Sequence, residues 1–508
     1  MVAIAYTVAF EGVEAHPVEV QCALSPGMPR FSIVGLPDKA VSEAKERVRS
    51  ALSELEIALP SKQITVNLSP ADRPKEGSHF DLPIALALLA ALEVIPADEV
   101  ARSLALGELS LTGRLIPVIG ALPAAVSAAE QGRILICPQA SGAEAAWVGA
   151  TPVIAAHSLY DVIQHMNGRR LIEPARPGEV RPHDGLRDLR EVKGQERAKR
   201  ALEIAAAGRH HMMLVGPPGS GKSMLAARLP SILPPLSATE ALETSMIHSL
   251  SGLLDEGGIS MIRPFREPHH TASMAAIVGG GKSAKPGEIS LAHNGVLFMD
   301  EFPEFPRTVL ETLRQPIETG EVVVARANAH VKYPCRFLLI AAANPCKCGF
   351  MNDANRACGR APLCGEDYLG RISGPLMDRF DLRVDVPPVS FQDLDLPDAK
   401  EGSTEVGTRV AKAREVQSDR YRDVPGVRVN ADIEGQLLEQ VASPDAEGRA
   451  LLNTAAERFH LTARGYHRVL RVARTIADLA GSTDIRKPHI AEALAYRLVS
   501  TRASRVPA

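Results

Sequence analysis

A chain of 508 residues has room for about three domains of ~150 residues, each able to bury a sizeable core. Its 57 Lys plus Arg against 60 Asp plus Glu leave a formal net charge of -3, so no global basic field marks a nucleic-acid or anionic-membrane binder, and any polyanion site must be local. The opening "MVAIAYTVAFEGVEAHPVEV" has no basic start followed by an apolar core and cleavage site, and no run of roughly 18 apolar residues occurs later, which predicts a soluble cytoplasmic protein without a membrane partner.

Across residues 1–170, strand-like stretches ("VEVQCAL", "RFSIVG", "QITVNL", "RILICP") alternate with helical ones ("KAVSEAKERVRSALSEL", "DLPIALALLAALEVI") and predict a compact α/β domain. Residues 171–187, "LIEPARPGEVRPHDGLR", are rich in Pro, Gly and charge, lack periodicity and read as a linker. A second α/β region spans 188–390, where "RAKRALEIAAAG" predicts a helix ended by Gly208 and "HMMLV" a short buried strand. Residues 391–508 are almost purely helical in pattern.

The strand "HMMLV" feeds "GPPGSGKS". Gly216, Gly219, Gly221, Lys222 and Ser223 match G-x-x-x-x-G-K-[ST], with Pro217, Pro218 and Ser220 filling the loop. Glycines let backbone N–H groups turn toward phosphates, Lys222 can reach the β- and γ-phosphates, and Ser223 can ligate Mg²⁺. A second G-K-S, in "AIVGGGKS", has Ala276 where the first glycine belongs and no clear strand-to-helix transition, so it is rejected.

Downstream, "GVLFMDE" predicts a buried strand with Asp300 and Glu301 at its carboxyl end, where open α/β sheets bind ligands. Asp300 would hold Mg²⁺ beside Ser223, and Glu301 would orient and deprotonate water. Another apolar run, "FLLIAAANP", ends in Asn344, placed either to touch the γ-phosphate or simply to form a turn. "GPLMDRFDL" carries Arg379, whose guanidinium suits the charge of phosphoryl transfer and can be supplied by a neighbouring subunit. In "LTARGYHRVLRVARTI", Arg464, Arg468 and Arg471 share one helix face opposite Leu470, Ala473 and Ile476, and for Arg468 and Arg471 the pattern predicts a solvated basic face.

Of seven cysteines, Cys346, Cys348, Cys358 and Cys364 crowd into one polar loop, which argues for a reducing compartment and a four-thiolate structural Zn²⁺ site. "EVVVARANAHVKYPCRF" predicts two strands around a turn near Ala327 and Asn328, with Arg326, His330 and Lys332 near the tip as DNA-binding candidates or an ordinary charged hairpin. His269 and His270 in "RPFREPHHTAS" lack a partner pair for a metal and read as a structural turn or, by the family resemblance that this motif helps to carry, as a loop near the channel of a ring.

Taken together, "VKGQERAKRALEIAAAGRHHMMLVGPPGSGKS", "FREPHHTAS", "KPGEISLAHNGVLFMDE", "AAANPCKCG" and "GRISGPLMDRFDLRVDV" resemble the signatures of AAA+ ATPases, specifically the magnesium-chelatase-like ComM/YifB branch, from near residue 1 to about residue 503. The resemblance implies ATP and Mg²⁺ as cofactors, Asn344 as sensor 1, Arg379 as a finger acting in trans, Arg464 as sensor 2, and Val192 to Gln195 near the adenine. It implies a homo-hexameric ring and an ATP-dependent DNA helicase or translocase promoting branch migration in DNA uptake and recombination. A chelatase-like motor remodelling a protein partner is the alternative. The amino-terminal region resembles the Lon-type protease fold through "RPKEGSHFDLPIALALLAAL" and "GELSLTGRLIPVIGALPAAVSAAEQG". Its nucleophile position holds Ser78 or His79, and its lysine stretch reads Ala121, Leu122, Pro123, so the Ser-Lys dyad is missing and proteolysis is disfavoured.

Overall fold

The computed structural model describes residues 2–180, 186–254, 258–281, 284–325, 330–351, 356–389 and 401–497. The amino-terminal region is a seven-stranded mixed sheet in the order 30–34, 63–69, 14–25, 2–11, 103–105, 134–138, 153–156. Strands Val2–Glu11 and Glu14–Ser25 form a long antiparallel hairpin, whereas the strands beyond Val2–Glu11 run parallel. Helix Asp81–Ala91 packs against that hairpin and against helix Lys39–Glu54. It is apolar on every face, and Leu82, Ile84, Leu86, Leu88 and Leu89 are fully buried. Helix Lys39–Glu54 is amphipathic instead, with Val41, Ala44, Val48, Ala51 and Leu52 buried at helical spacing, and Asp38 caps it by accepting from the Val41 N–H at 2.7 Å.

Pro174 bridges to Ile154, and the Ala175 N–H donates to the Val153 carbonyl at 2.8 Å, so the first part of the 171–187 segment lies along the edge of the amino-terminal sheet.

From residue 188 a second core forms around five parallel strands in the order Phe265–Arg266, Val296–Met299, Leu338–Ala343, Met212–Val215, Leu382–Asp385. The three central strands carry hydrophobic residues throughout, as a parallel sheet covered on both faces requires. The register pairs Met212 with both Ile340 and Leu382, and Leu297 with Leu339, so all carboxyl ends emerge at one edge.

The carboxyl-terminal helices Ser403–Arg420, Ala446–Arg458, Ala463–Leu479 and Lys487–Arg497 form the expected helical lid. Val410, Ala473, Ile476 and Leu494 belong to the same buried cluster as Ile340 and Leu382, so lid and sheet share one core. Among the described residues no helix is long and apolar enough to cross a membrane.

Candidate nucleotide site

Strand Met212–Val215 is buried between two parallel neighbours, and the chain leaving it must turn sharply to enter helix Lys222–Ala226. Gly219 (φ 76°) and Gly221 (φ 89°) supply the left-handed conformations of that turn, and a Cβ on Gly219 would meet only open space. A Cβ on Gly216 would lie 2.2 Å from the Val386 carbonyl oxygen, which explains glycine there. Lys222 Nζ donates to the Gly216 and Pro217 carbonyls at 2.7 and 2.9 Å and to Asn344 Oδ1 at 3.2 Å. Burial lowers its proton affinity and the nearby Asp300 and Glu301 raise it, with burial prevailing. The ammonium is thus held over the loop by neutral acceptors. Ser220 Oγ is buried without a hydrogen-bond partner. A left-handed glycine turn, a lysine with no directly bonded anion and an orphaned hydroxyl together fit a bound triphosphate.

Ser223 Oγ donates to Asp300 Oδ2 at 2.6 Å, bringing together the hydroxyl and carboxylate that can hold Mg²⁺. Glu301 is at φ 50°, in the left-handed region, and its own N–H donates to Asp300 Oδ1 at 2.8 Å. Asn344 leaves the neighbouring strand and meets Lys222, so Lys222, Asp300, Glu301 and Asn344 converge at the carboxyl edge. Gln195, also left-handed at φ 60°, reaches the Pro387 carbonyl at 2.6 Å and the Ser220 carbonyl at 3.4 Å, which sets the 192–195 turn beside the P-loop. Two residues that motif reading left aside belong here. His270 Nδ1 is 3.2 Å from Glu301 Oε2, and burial together with the Asp300 charge raises the proton affinity of Glu267. Their strand brings them there: "FREPHH" leaves the edge strand that pairs directly with the Asp300 strand.

Arg379 and Arg464 lie elsewhere. Arg379, Asp381 and His211 precede their strands, so they sit at the amino edge of the sheet, a four-residue strand of about 13 Å away from the P-loop edge. Arg379 is buried, donates to the Pro375 carbonyl at 2.6 Å and pairs with Glu318. Arg464, exposed at the start of the lid helix Ala463–Leu479, opens onto a recess of about 660 Å³ that is also lined by Arg209, Glu318, Arg336, Arg468 and Arg471. The solvated face expected of Arg468 and Arg471 is a misreading. Arg468 donates to Asp381 Oδ1 at 2.5 Å and to the Arg379 carbonyl at 2.9 Å, and Arg471 pairs with Glu434 at 3.1 Å. Helical periodicity marked the polar face but could not show that a second polar surface covers it.

Family profiles described as magnesium chelatase subunit ChlI, subunit ChlI of Mg-chelatase, and the magnesium chelatase subunit ChlI C-terminal region match residues 188–394, 18–141 and 400–497. Competence protein ComM of Haemophilus influenzae is 44% identical over 504 residues, covering 97% of each chain. YifB of Escherichia coli is 42% identical over 499 residues, covering 98% of this chain and 97% of its own. The chain belongs to the ComM/YifB family of magnesium-chelatase-like AAA+ ATPases. A more distant relative, the magnesium-chelatase 38 kDa subunit of Rhodobacter capsulatus, is 27% identical over 340 residues, 60% of this chain and 86% of its own.

Two further features of this ComM/YifB chain carry site candidates. The sulfur atoms of Cys346, Cys348 and Cys364 lie within 4.8 Å of one another, a trio able to hold a metal ion, and Cys358 interacts with both Cys348 and Cys364. The Phe350 N–H and the neighbouring thiols draw Cys348 down to about 7, the thiolate character that zinc ligation needs. The candidate DNA hairpin forms as expected from Glu321–Ala325 and His330–Pro334, with Lys332 exposed. Arg326 and the turn at Ala327 and Asn328 lie outside the described residues, as does the side chain of His330. His269 and His270 do not form a metal site among the described residues: His269 Nδ1 engages Thr271 at 2.7 Å while His270 faces Glu301.

Proposed function

We propose that this chain is an ATP-driven, ring-forming DNA translocase that promotes branch migration in DNA uptake and recombination. The observation that carries the reading is the division of the catalytic set between two sheet edges: Lys222, Ser223, Asp300, Glu301 and Asn344 on one, Arg379 and Arg464 on the other. Neither arginine hydrogen-bonds to its own P-loop, so each would serve the nucleotide of an adjoining copy in a hexamer. Bound Mg²⁺-ATP supplies the phosphoanhydride to be cleaved and the metal that neutralises its charge. Lys222 neutralises the terminal phosphates, Ser223 and Asp300 hold the metal, and Asn344 orients the water. Glu301 accepts the water's proton as its oxygen bonds to the γ-phosphorus, and Arg379 of the neighbour meets the charge that builds as the bond to the β-phosphate breaks.

Support for DNA as the moved object comes from the relative named a competence protein and from the exposed Lys332 on the hairpin, a side chain suited to tracking phosphates. The likeness to a magnesium-chelatase subunit favours the second reading, a motor that remodels a protein partner. The four-cysteine loop is read as a structural zinc site that stiffens the connection between Asn344 and Arg379.

For residues 1–170 we propose a Lon-type fold kept for binding or assembly. His79 is buried between Phe10 and Phe80 with Nε2 2.9 Å from the Val8 carbonyl, and Lys75 donates to the Pro70 and Arg73 carbonyls, so neither is disposed as a general base.

The test is ATP turnover with and without single-stranded and branched DNA, alongside strand exchange on a labelled four-way junction. DNA-stimulated turnover with junction migration supports the reading. Equal turnover with and without DNA points to the chelatase-like motor.

A further inference from the structure

The hairpin that carries Lys332 is two strands wide, and two strands alone are marginal in water, so its position is set by what it packs on. Its register pairs Val322 with Tyr333 and Val324 with Val331, four buried side chains, and the alternation of the strand leaves Lys332 exposed on the opposite face. Two contacts hold the buried face from the nucleotide-binding core. The Tyr333 hydroxyl donates to the Ala284 carbonyl at 2.8 Å, and a Cβ on Gly279 would meet a Val324 methyl at 3.0 Å.

A third contact comes from the amino-terminal region. Strands Val2–Glu11 and Glu14–Ser25 are joined by Gly12 and Val13, and Gly12 is buried with φ 65°. A Cβ there would lie 2.8 Å from the Lys332 carbonyl oxygen and 2.9 Å from a Val331 methyl, so glycine serves both the left-handed turn and the close approach. Val13 packs against the buried cluster to which Val322, Val324, Val331 and Tyr333 belong. The tip thus seats on the backbone of Lys332 while the Lys332 side chain stays exposed. A separate docking point holds the same region to the core. The Ser249 hydroxyl of helix Ala238–Leu250 donates to Glu144, which also accepts the Leu122 N–H at 3.2 Å. Trp147, the only tryptophan of the chain, packs against the cluster of Leu236, Ala241 and Ile259.

We infer that the amino-terminal region buttresses the Lys332 hairpin, with Gly12 and Val13 as positioning residues that fix where Lys332 stands and so its grip on a polyanionic strand. The inference rests on the reading of that hairpin as the DNA contact, so one half of its test needs no DNA. Three full-length variants are compared with the wild type. Gly12→Asn keeps a residue that accepts the left-handed turn and adds the Cβ, Val13→Ser removes the apolar contact, and Val13→Ile retains it. Amide hydrogen exchange at Val331 to Tyr333 speeds up about tenfold in Gly12→Asn and Val13→Ser and stays that of the wild type in Val13→Ile. Exchange in the Gln63–Ser69 strand and the emission of Trp147 do not move, which shows the region still folded and docked. Should Gly12→Asn disturb either, Val13→Ser decides.

Binding of a fluorescein-labelled oligothymidylate, followed by anisotropy, weakens about tenfold in the same two variants, the scale of ordering one backbone residue on binding. DNA-free turnover and KM for ATP are unchanged. In a Lys332→Ala background Gly12→Asn weakens binding no further, because the residue it positions is gone. Wild-type exchange at Val331 to Tyr333 in Gly12→Asn and Val13→Ser overturns the buttress. Faster exchange with wild-type affinity, or a full additional loss in the Lys332→Ala background, overturns the role of the tip in placing Lys332. If the wild type binds no oligothymidylate, the DNA reading falls and the exchange comparison still decides the buttress.

Discussion

Replacing Asp381 with Asn should unseat the lid from the nucleotide-binding core. Asp381 directly precedes the Leu382–Asp385 strand, and its side chain is 4% exposed. It accepts from Arg468 of the lid at 2.5 Å and from the His211 backbone N–H at 3.2 Å, and lies 3.5 Å from His210 Nδ1. Burial alone would raise its proton affinity, but the Arg468 charge and the two histidines outweigh it and hold the carboxyl well below the usual carboxylate range. The amide keeps the shape and loses the charge, which leaves Arg468, its side chain 15% exposed, without its counter-ion. Breaking one partner of a buried pair costs about 3–5 kcal/mol, a large share of the ~5–15 kcal/mol that holds a typical domain.

Urea denaturation at pH 7, followed by far-ultraviolet circular dichroism, should show a destabilisation of that size with an unchanged slope. Because the folded-state affinity of Asp381 for protons is depressed, its contribution is present above the unfolded carboxylate pKa near ~3.9 and is lost as pH falls below it. The wild type and the variant should therefore converge in acid. Asp381→Asn combined with Arg468→Met removes the stranded charge and should recover part of the loss. A single variant within about 1 kcal/mol of the wild type would refute the account of the pair.

Other consequences are as direct. Glu301→Gln should lose about 10²–10⁴-fold in turnover with ATP binding intact, as measured by equilibrium titration, because only the proposed proton acceptor is removed. Lys222→Ala should abolish nucleotide binding itself in the same titration. His211 is half-buried, accepts the Leu339 N–H at Nδ1 and is pushed down to about 4 by desolvation of its ring, so the unfolded state binds the extra proton between about 4 and 6.5. Stability should fall by up to about 3 kcal/mol as pH drops through that window, and His211→Gln should flatten the slope in pH-dependent denaturation. Zinc measured by atomic absorption should approach one ion per chain and fall sharply in Cys364→Ser, since the three remaining cysteines, Cys346, Cys348 and Cys358, leave the tetrahedral site one thiolate short.

The grouping of residues at the P-loop edge could be read from the sequence because each group follows a short apolar strand within a few residues. Gly216 to Ser223, Asp300 and Asn344 needed only the rule that ligands gather at the carboxyl ends of parallel strands. The placement of Arg379 and Arg464 at the opposite edge was hidden, since it depends on strand order and on which element covers which face. Arg468 shows why: its spacing on the helix is that of a solvated face, and only the packed lid reveals Asp381 beneath it. The edge strand Phe265–Arg266 has two residues, too few for any periodicity, so the link from His270 to Glu301 left no trace in the pattern. The long strand Val2–Glu11 was overlooked for a different reason: Gly12 and Val13 make a tight turn, and only the antiparallel partner Glu14–Ser25 carried a clear strand signal.

Mixing two inactive variants tests the proposed sharing of the pocket between adjoining copies most directly. Glu301→Gln keeps Arg379 and Arg379→Ala keeps Glu301, so a mixed ring regains intact interfaces wherever a sound base faces a sound finger, about a quarter of them under random assortment. Recovery of ATP turnover on mixing, to a comparable fraction of the wild-type rate and dependent on protein concentration, is the predicted result. A mixture as inactive as its components, or a monomeric species that hydrolyses ATP at the full rate, would contradict the account.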